Sequence, residues 1–146
     1  MSATAKVLTP EPAVLRHDLN GLIMRIPGQD AQYLIIGGYK CHIPNMETAY
    51  SLFVPNYTIT PDPNLNDITT GNPITDGAVL AQAEGTPGKY LISAPPGPLN
   101  APICIMGITT PAIFERYQFN NARVVVVPLV FIEGIPAGPA VPPPTP

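Results

Sequence analysis

Asp62, Asn64 and Asn66 alternate at the spacing of the first three oxygen ligands of an EF-hand calcium loop. Holding a hard cation there also takes a glycine at the sharp turn and a bidentate glutamate at the far end. Asp67 and Pro73 occupy those positions, so the stretch reads as a turn whose Asp and Asn side chains bond their own backbone. Cys41, His42, His17 and Cys104 carry the atoms for a zinc site, yet no C-x-x-C or H-x-x-x-H spacing links them. Where Tyr39, Cys41 and Ile43 alternate with Lys40 and His42, the thiol takes the apolar face and the imidazole points outward beside Lys40. That alternation also parts a Cys–His nucleophile pair, which needs both groups within hydrogen-bond reach. His17 and Asp18 read as a surface pair beside a turn, and no phosphate-cradling glycine motif occurs. Asn56-Tyr57-Thr58 has the form of a glycosylation sequon but is expected to lead from a turn into a strand. Tyr39, Tyr50, Phe53, Tyr57, Phe114 and Tyr117 could line a sugar platform. With no tryptophan in the chain, core packing is the expected use. The expectation is therefore a non-enzymatic protein with no catalytic, cofactor-binding or metal-ligating set.

The elements that carry these residues come twice. Tyr33-Leu34-Ile35 recurs as Tyr90-Leu91-Ile92 inside a collinear series. Asn20-Gly21 and Leu22-Ile23-Met24 match Asp76-Gly77 and Ala78-Val79-Leu80, and Ile43 matches Ile108. Further on, Thr58 to Pro61 matches Val125 to Pro128, while Ile68, Gly71 and Ile74 match Ile135, Gly138 and Val141. The expected fold is α+β and β-rich: two tandem copies of a hairpin–strand–short helix–strand unit, packed as one pseudo-two-fold domain. Residues 1–19 are read as a lead-in and first strand, 20–75 as the first copy, 76–141 as the second, and 142–146 as a proline-rich tail.

Within that frame a strand from Ala13 to Leu19 is expected to turn at Asn20-Gly21, a type I′ hairpin signal, into a strand from Leu22 to Ile26. Gln32 to Gly37 follows as a third strand. Asn45 is the expected cap of a helix whose apolar stripe is Met46, Ala49, Tyr50 and Phe53, ended by Pro55. Thr110 and Pro111 start its counterpart, with Ile113, Phe114 and Tyr117 inward. Matching the caps and matching the aromatic faces give alignments that differ by one residue. Val124 to Ile132 is the most strand-prone run, and Pro128 requires it to lie at a sheet edge or to bend there. Ser93 to Ala101 is an insertion in the second copy, expected on the surface.

Only 12% of residues are charged, against about 25% in typical domains. With a net charge of −3 and no basic cluster, the chain lacks a footprint for nucleic acid. The longest apolar run is too short to span a bilayer, and Met1 to Lys6 does not lead into a secretory h-region. Cytoplasmic synthesis without a signal peptide is expected, with two buried free thiols. Low charge, 21 prolines and duplication point to a structural, self-assembling subunit of a filament, shell or virion-like particle. The alternative is a carbohydrate- or protein-binding module using residues 55–67 and 93–101. Expected partner contacts are Asp62, Asn64, Asn66, Pro95, Pro96, Pro98, Pro142, Pro143 and Pro144. The tail from Pro139 onward is polyproline II material, expected to lie across a neighbouring copy.

Overall fold

A computed structural model describes residues 13–97 and 101–145. Strands β1 (Ile23–Arg25), β2 (Tyr33–Ile36), β3 (Tyr39–His42) and β4 (Ile59–Pro61) form a sheet in the order β3-β2-β1-β4. A second sheet has β5 (Val79–Ala83), β6 (Lys89–Ser93), β7 (Cys104–Ile108) and β8 (Val125–Val127) in the order β7-β6-β5-β8. In both, three strands meander antiparallel and the fourth lies parallel to the first. A short helix precedes that fourth strand, α1 (Met46–Leu52) in one copy and α2 (Pro111–Arg116) in the other. Both Tyr-Leu-Ile triplets fall on the second strand of their sheet, so the chain is a β-rich α+β protein built from two copies of one unit.

Register equates the copies residue by residue. Leu34 pairs with Ile23 and Cys41, and Leu91 with Leu80 and Met106. Ile23, Leu34, Leu80 and Leu91 are all fully buried in one core cluster drawn from both copies. This corrects the alignment of the first strands by one residue, since Ile23 corresponds to Leu80 and not Val79. A one-residue slip would carry a strand's core side chains to its other face. On the fourth strands Thr60 corresponds to Val125, two residues from the expected match, which leaves the faces unchanged.

The caps settle the helices. Asn45 Oδ1 accepts from the Thr48 amide at 2.8 Å, and Thr110 Oγ1 from the Ile113 amide at 3.2 Å. Ile113, Phe114 and Tyr117 turn inward as expected, and their counterparts are Thr48, Ala49 and Leu52. Met46 and Tyr50 are exposed, against expectation. The Thr48 hydroxyl accepts from the Gly77 amide at 3.0 Å and Asn45 Nδ2 donates to Asp76 Oδ1 at 2.8 Å, which fixes α1 with its polar side on the second copy's turn.

Residues 13–19 do not form the expected strand. Val14 makes a lone parallel bridge to Ile68, and His17–Leu19 is a 3₁₀ turn. Asn20 has φ −50° and ψ 130°, Gly21 has φ 96°, and the Leu22 amide bonds the Leu19 carbonyl at 3.0 Å. That geometry is a type II turn, not type I′. Gly37 and Gly38 supply the two consecutive positive φ values of a type I′ turn, 61° and 82°, between the paired Ile36 and Tyr39.

Beyond the fourth strand each copy returns along its third. The Lys40 amide bonds Thr69 O at 2.9 Å and the Gly71 amide bonds Lys40 O at 3.1 Å. In the second copy Ile105 N bonds Pro136 O at 2.9 Å and Gly138 N bonds Ile105 O at 2.9 Å. A Cβ on Gly71 would stand 2.8 Å from Tyr39 Cβ, and one on Gly138 would collide with Cys104 Sγ, so the approach requires glycine in both places. Lys40 is buried by this return and not outward, its ammonium donating to Ile68 O at 2.9 Å and to Thr70 Oγ1.

The run after Val124 lies at the sheet edge and breaks at Pro128, as expected, but it is a strand only over Val125–Val127 and beyond Pro128 becomes helix α3 (Leu129–Glu133). Pro128 removes a ladder donor yet suits a helix start. The tail, expected across a neighbouring copy, docks on its own chain. Val141 is buried, Tyr117 donates to Pro142 O at 2.5 Å, Asn20 Nδ2 to Pro143 O at 3.1 Å, and the Thr145 amide to His17 O at 3.0 Å. No helix among the described residues is long and apolar enough to cross a membrane.

Candidate functional site

The second copy carries a cleft of about 780 Å³ where β6, the start of α2 and the segment after α2 diverge. Its floor is apolar: Ile108, Phe114 and Phe119 are buried, with Val54 contributed by the first copy. Lys89 holds its ammonium 4.9 Å from the centre of the Phe114 ring, and Asn120, Asn121, Thr109 and Thr110 supply polar groups around the mouth. Among the described residues Lys89 has no carboxylate partner, because the one ion pair there joins Arg16 and Asp18. Glu115 stands exposed on the lip. The volume lies in the range of small-molecule sites, as does a mostly apolar lining with few polar groups.

The first copy has a cavity at the equivalent place, but of only about 220 Å³. Asp30, Ala31, Gln32, His42, Ile43, Pro44, Asn45 and Met46 line it, and all but His42 match Pro87, Gly88, Lys89, Ile108, Thr109, Thr110 and Pro111 in the large cleft. Tyr57 sits on this side of the first copy. Its hydroxyl donates to Gln32 Oε1 at 2.5 Å and its ring packs on Phe53 at 5.4 Å. The counterpart of Gln32 is Lys89. Phe53 is bridged to Phe119, with Val54 N bonding Gln118 O and Asn120 N bonding Leu52 O, both at 2.8 Å. That exchange is reciprocal, so Phe53 and Phe119 correspond across the contact. The counterparts of both of Tyr57's partners line the large cleft, where Phe119 is buried with Tyr117 stacked on it at 5.4 Å.

A second difference lies on β8 and α3. Val126 is 61% exposed, Val130 74% and Phe131 51%, with Val125 and Leu129 also exposed. Only Ile132 of α3 packs inward, against Ala81, Ala83 and Ile105 on the outer face of the second sheet. In the first copy Leu65 does that work for Met24, Ile35 and Ile68, from the 3₁₀ turn Leu65–Asp67, which Asp62, Pro63 and Asn64 precede.

The residues singled out in the sequence are thereby placed. Asp62 Oδ1 accepts from the Asn64 amide at 2.8 Å, an Asx turn, and Asn64 and Asn66 are exposed beside it. Pro95 accepts from Asn72 Nδ2 at 2.8 Å and Pro96 packs on Gly37, so this part of the insertion lies against the first copy. Pro98 is outside the described residues. Pro142 is half-buried beneath Tyr117, while Pro143 and Pro144 are exposed. Cys41 and Cys104 are buried free thiols, and burial pushes the Cys41 thiol up to about 12. Among the described residues no group of three or more His, Cys, Asp and Glu side chains could hold a metal ion. Sequence reasoning missed the cleft, because its lining comes together from β6, the end of β7, α2, the segment after α2 and Val54 of the first copy.

Comparison with protein-family models, with curated proteins and with solved structures found no match.

Proposed function

We propose that this protein is a non-enzymatic structural subunit that assembles with copies of itself through the ridge formed by β8 and α3. One observation carries this reading: the apolar ridge is not needed to build the fold. The first copy completes the same connection with Thr60, Pro61, Asp62 and Asn64, and seats Leu65 where the second seats Ile132. An exposed run of Val, Leu and Phe kept against that internal control is what a contact surface requires.

A second copy of the chain is the occupant that suits it. From Val124 to Ile132 the ridge bears no charge, so identical ridges meet without repulsion. β8 pairs on one side only, with β5, and an open strand edge is self-complementary in backbone donors and acceptors. Ridge against ridge closes as an isologous dimer, from which a filament or shell would grow through a further surface. The low overall charge supports association in the same way.

The test is light scattering on the full chain across a concentration series, with Leu129→Asp/Phe131→Asn as the variant. Those replacements are the residues the first copy uses. A concentration-dependent oligomer that the variant reduces to monomer, with thermal unfolding unchanged, is expected. A wild-type chain that stays monomeric throughout, or a variant that assembles as fully, overturns the reading.

A further inference from the structure

We infer that two molecules of this chain join β8 to β8 as antiparallel strands about a two-fold at Val126, merging their second sheets into one. This pairing rests on the ridge reading above and gives it a bonded residue, a register and a limit. The Glu84 amide bonds Val127 O at 2.8 Å, so Val127 turns its backbone groups to β5. Those groups alternate in direction along a strand, and the N–H and C=O of Val126 therefore point away from the sheet.

The first copy again supplies the control. Pro61 pairs with Arg25 as Val126 pairs with Gln82, and Arg25 and Gln82 are equivalent by register. The Asp62 amide bonds Arg25 O at 2.9 Å, so Pro61 likewise faces away from its sheet. Proline has no N–H to offer, and at such a place it blocks the addition of another strand. The opposite edges are covered, since Thr70 bridges to Lys40 on β3 and Ala137 to Ile105 on β7. Among the described residues β8 is thus the edge left able to pair.

That edge is short. The Val124 amide is taken by Asn121 O at 3.3 Å, and Pro128 has no N–H and lends its carbonyl to the Phe131 amide at 2.9 Å. A long foreign strand would find little backbone to bond there. A second β8 matches it: Val126 N–H donates to the partner's Val126 O, and the reverse. The partner also brings its own exposed Leu129, Val130 and Phe131 to the contact. Val125 then faces the partner's Val127, one β-branched side chain against another, which favours the pair. Once the two edges meet, neither can take a third strand, so growth along the sheet stops at two.

Val126→Pro tests this, because it installs the first copy's residue where the N–H makes no bond to β5. Light scattering on the full chain should show the dimer dissociation constant raised at least about tenfold, the scale of the lost hydrogen bonds. Val126→Thr keeps the donor and the β-branch and should dimerise as the wild type does. Hydrogen exchange on the wild-type chain is an independent readout: the Val126 amide should be protected in the dimer and exchange freely on dilution. A Val126→Pro chain that dimerises fully, or a Val126 amide that exchanges freely in the dimer, overturns the strand pairing. If Leu129→Asp/Phe131→Asn still abolishes that dimer, the ridge reading stands without it. A wild-type chain that is monomeric at every concentration overturns both. Protection of Val126 in that monomer by an added Thr-Val-Thr-Val-Thr peptide would assign the edge to a foreign strand.

Discussion

From the end of β4 the first copy runs through Asp62, Pro63 and Asn64, while from the end of β8 the second runs through Leu129, Val130 and Phe131. Both stretches deliver one apolar residue, Leu65 or Ile132, to the outer face of their sheet. Beside the helices the copies differ again: Tyr57 packs against Phe53 and Gln32 in one, and a cleft of about 780 Å³ opens beside Lys89 in the other. A duplicated fold controls for its own architecture. Where both copies bury the same positions, folding explains the residue. Where one copy exposes apolar side chains and the other polar ones, folding does not explain the difference, and β8 with α3 is the longest such stretch among the described residues.

The largest effect should come from positions where the copies agree. Leu34→Ala and Leu91→Ala each remove a fully buried side chain and should cost about 2–5 kcal/mol in urea unfolding. Similar costs for both would support one shared core. A large cost for one and none for the other would mean that a single copy carries the stability.

A smaller effect depends on pH, with the buried thiols Cys41 and Cys104 both raised by burial. Cys41 corresponds to Met106, so only the first copy has an ionisable group at that core position. Burial holds the folded thiol at about 12, from an ordinary value near 9.0. Between those values the unfolded chain has released a proton that the folded chain keeps, so stability falls as pH rises, by at most about 1.4 kcal/mol per pH unit. The Tyr117 phenol, raised chiefly by burial, adds a loss of the same sign at higher pH. Unfolding measured from about pH 8 to about pH 10 should show the fall, and Cys41→Ala should reduce it, leaving the share of the Cys104 thiol. An unchanged slope in that variant would remove Cys41 as the cause.

The smallest expected change concerns the tail. Tyr117 holds Pro142 through its hydroxyl, at the point where the first copy simply continues from Ile74 into Thr75. Tyr117→Phe should cost about 0.5–1.5 kcal/mol and speed proteolytic trimming of the last residues. Trimming at the wild-type rate would show that Val141 anchors the tail without help.

Much of the construction was legible because it depends on local chemistry. Asn45, Thr110 and Pro111 announce helix starts by capping chemistry, and the paired Tyr-Leu-Ile strands by recurrence. The failures came from contacts distant in sequence. Asn20-Gly21 has the composition of a hairpin turn, but Asn20 is fully buried, where Oδ1 accepts from the Gly38 amide at 2.8 Å. Lys40 looked outward by alternation until the return segment covered it, and the Val124 to Ile132 run divided at Pro128 because Ile132 is drawn onto the sheet. The cleft was least legible of all, since residues from β6, α2, the segment after it and Val54 of the first copy meet there from separate parts of the chain.

The contacts between the copies are crossed. Arg116 of α2 donates to Asn20 O at 2.8 Å in the first copy's turn, whereas Asn45 of α1 donates to Asp76 in the second copy's turn. With the exchange at Phe53 and Phe119, each half completes its neighbour and not itself. A chain half this length would have to find these contacts in another molecule. Separated halves would therefore have to pair with one another to recover these hydrogen bonds.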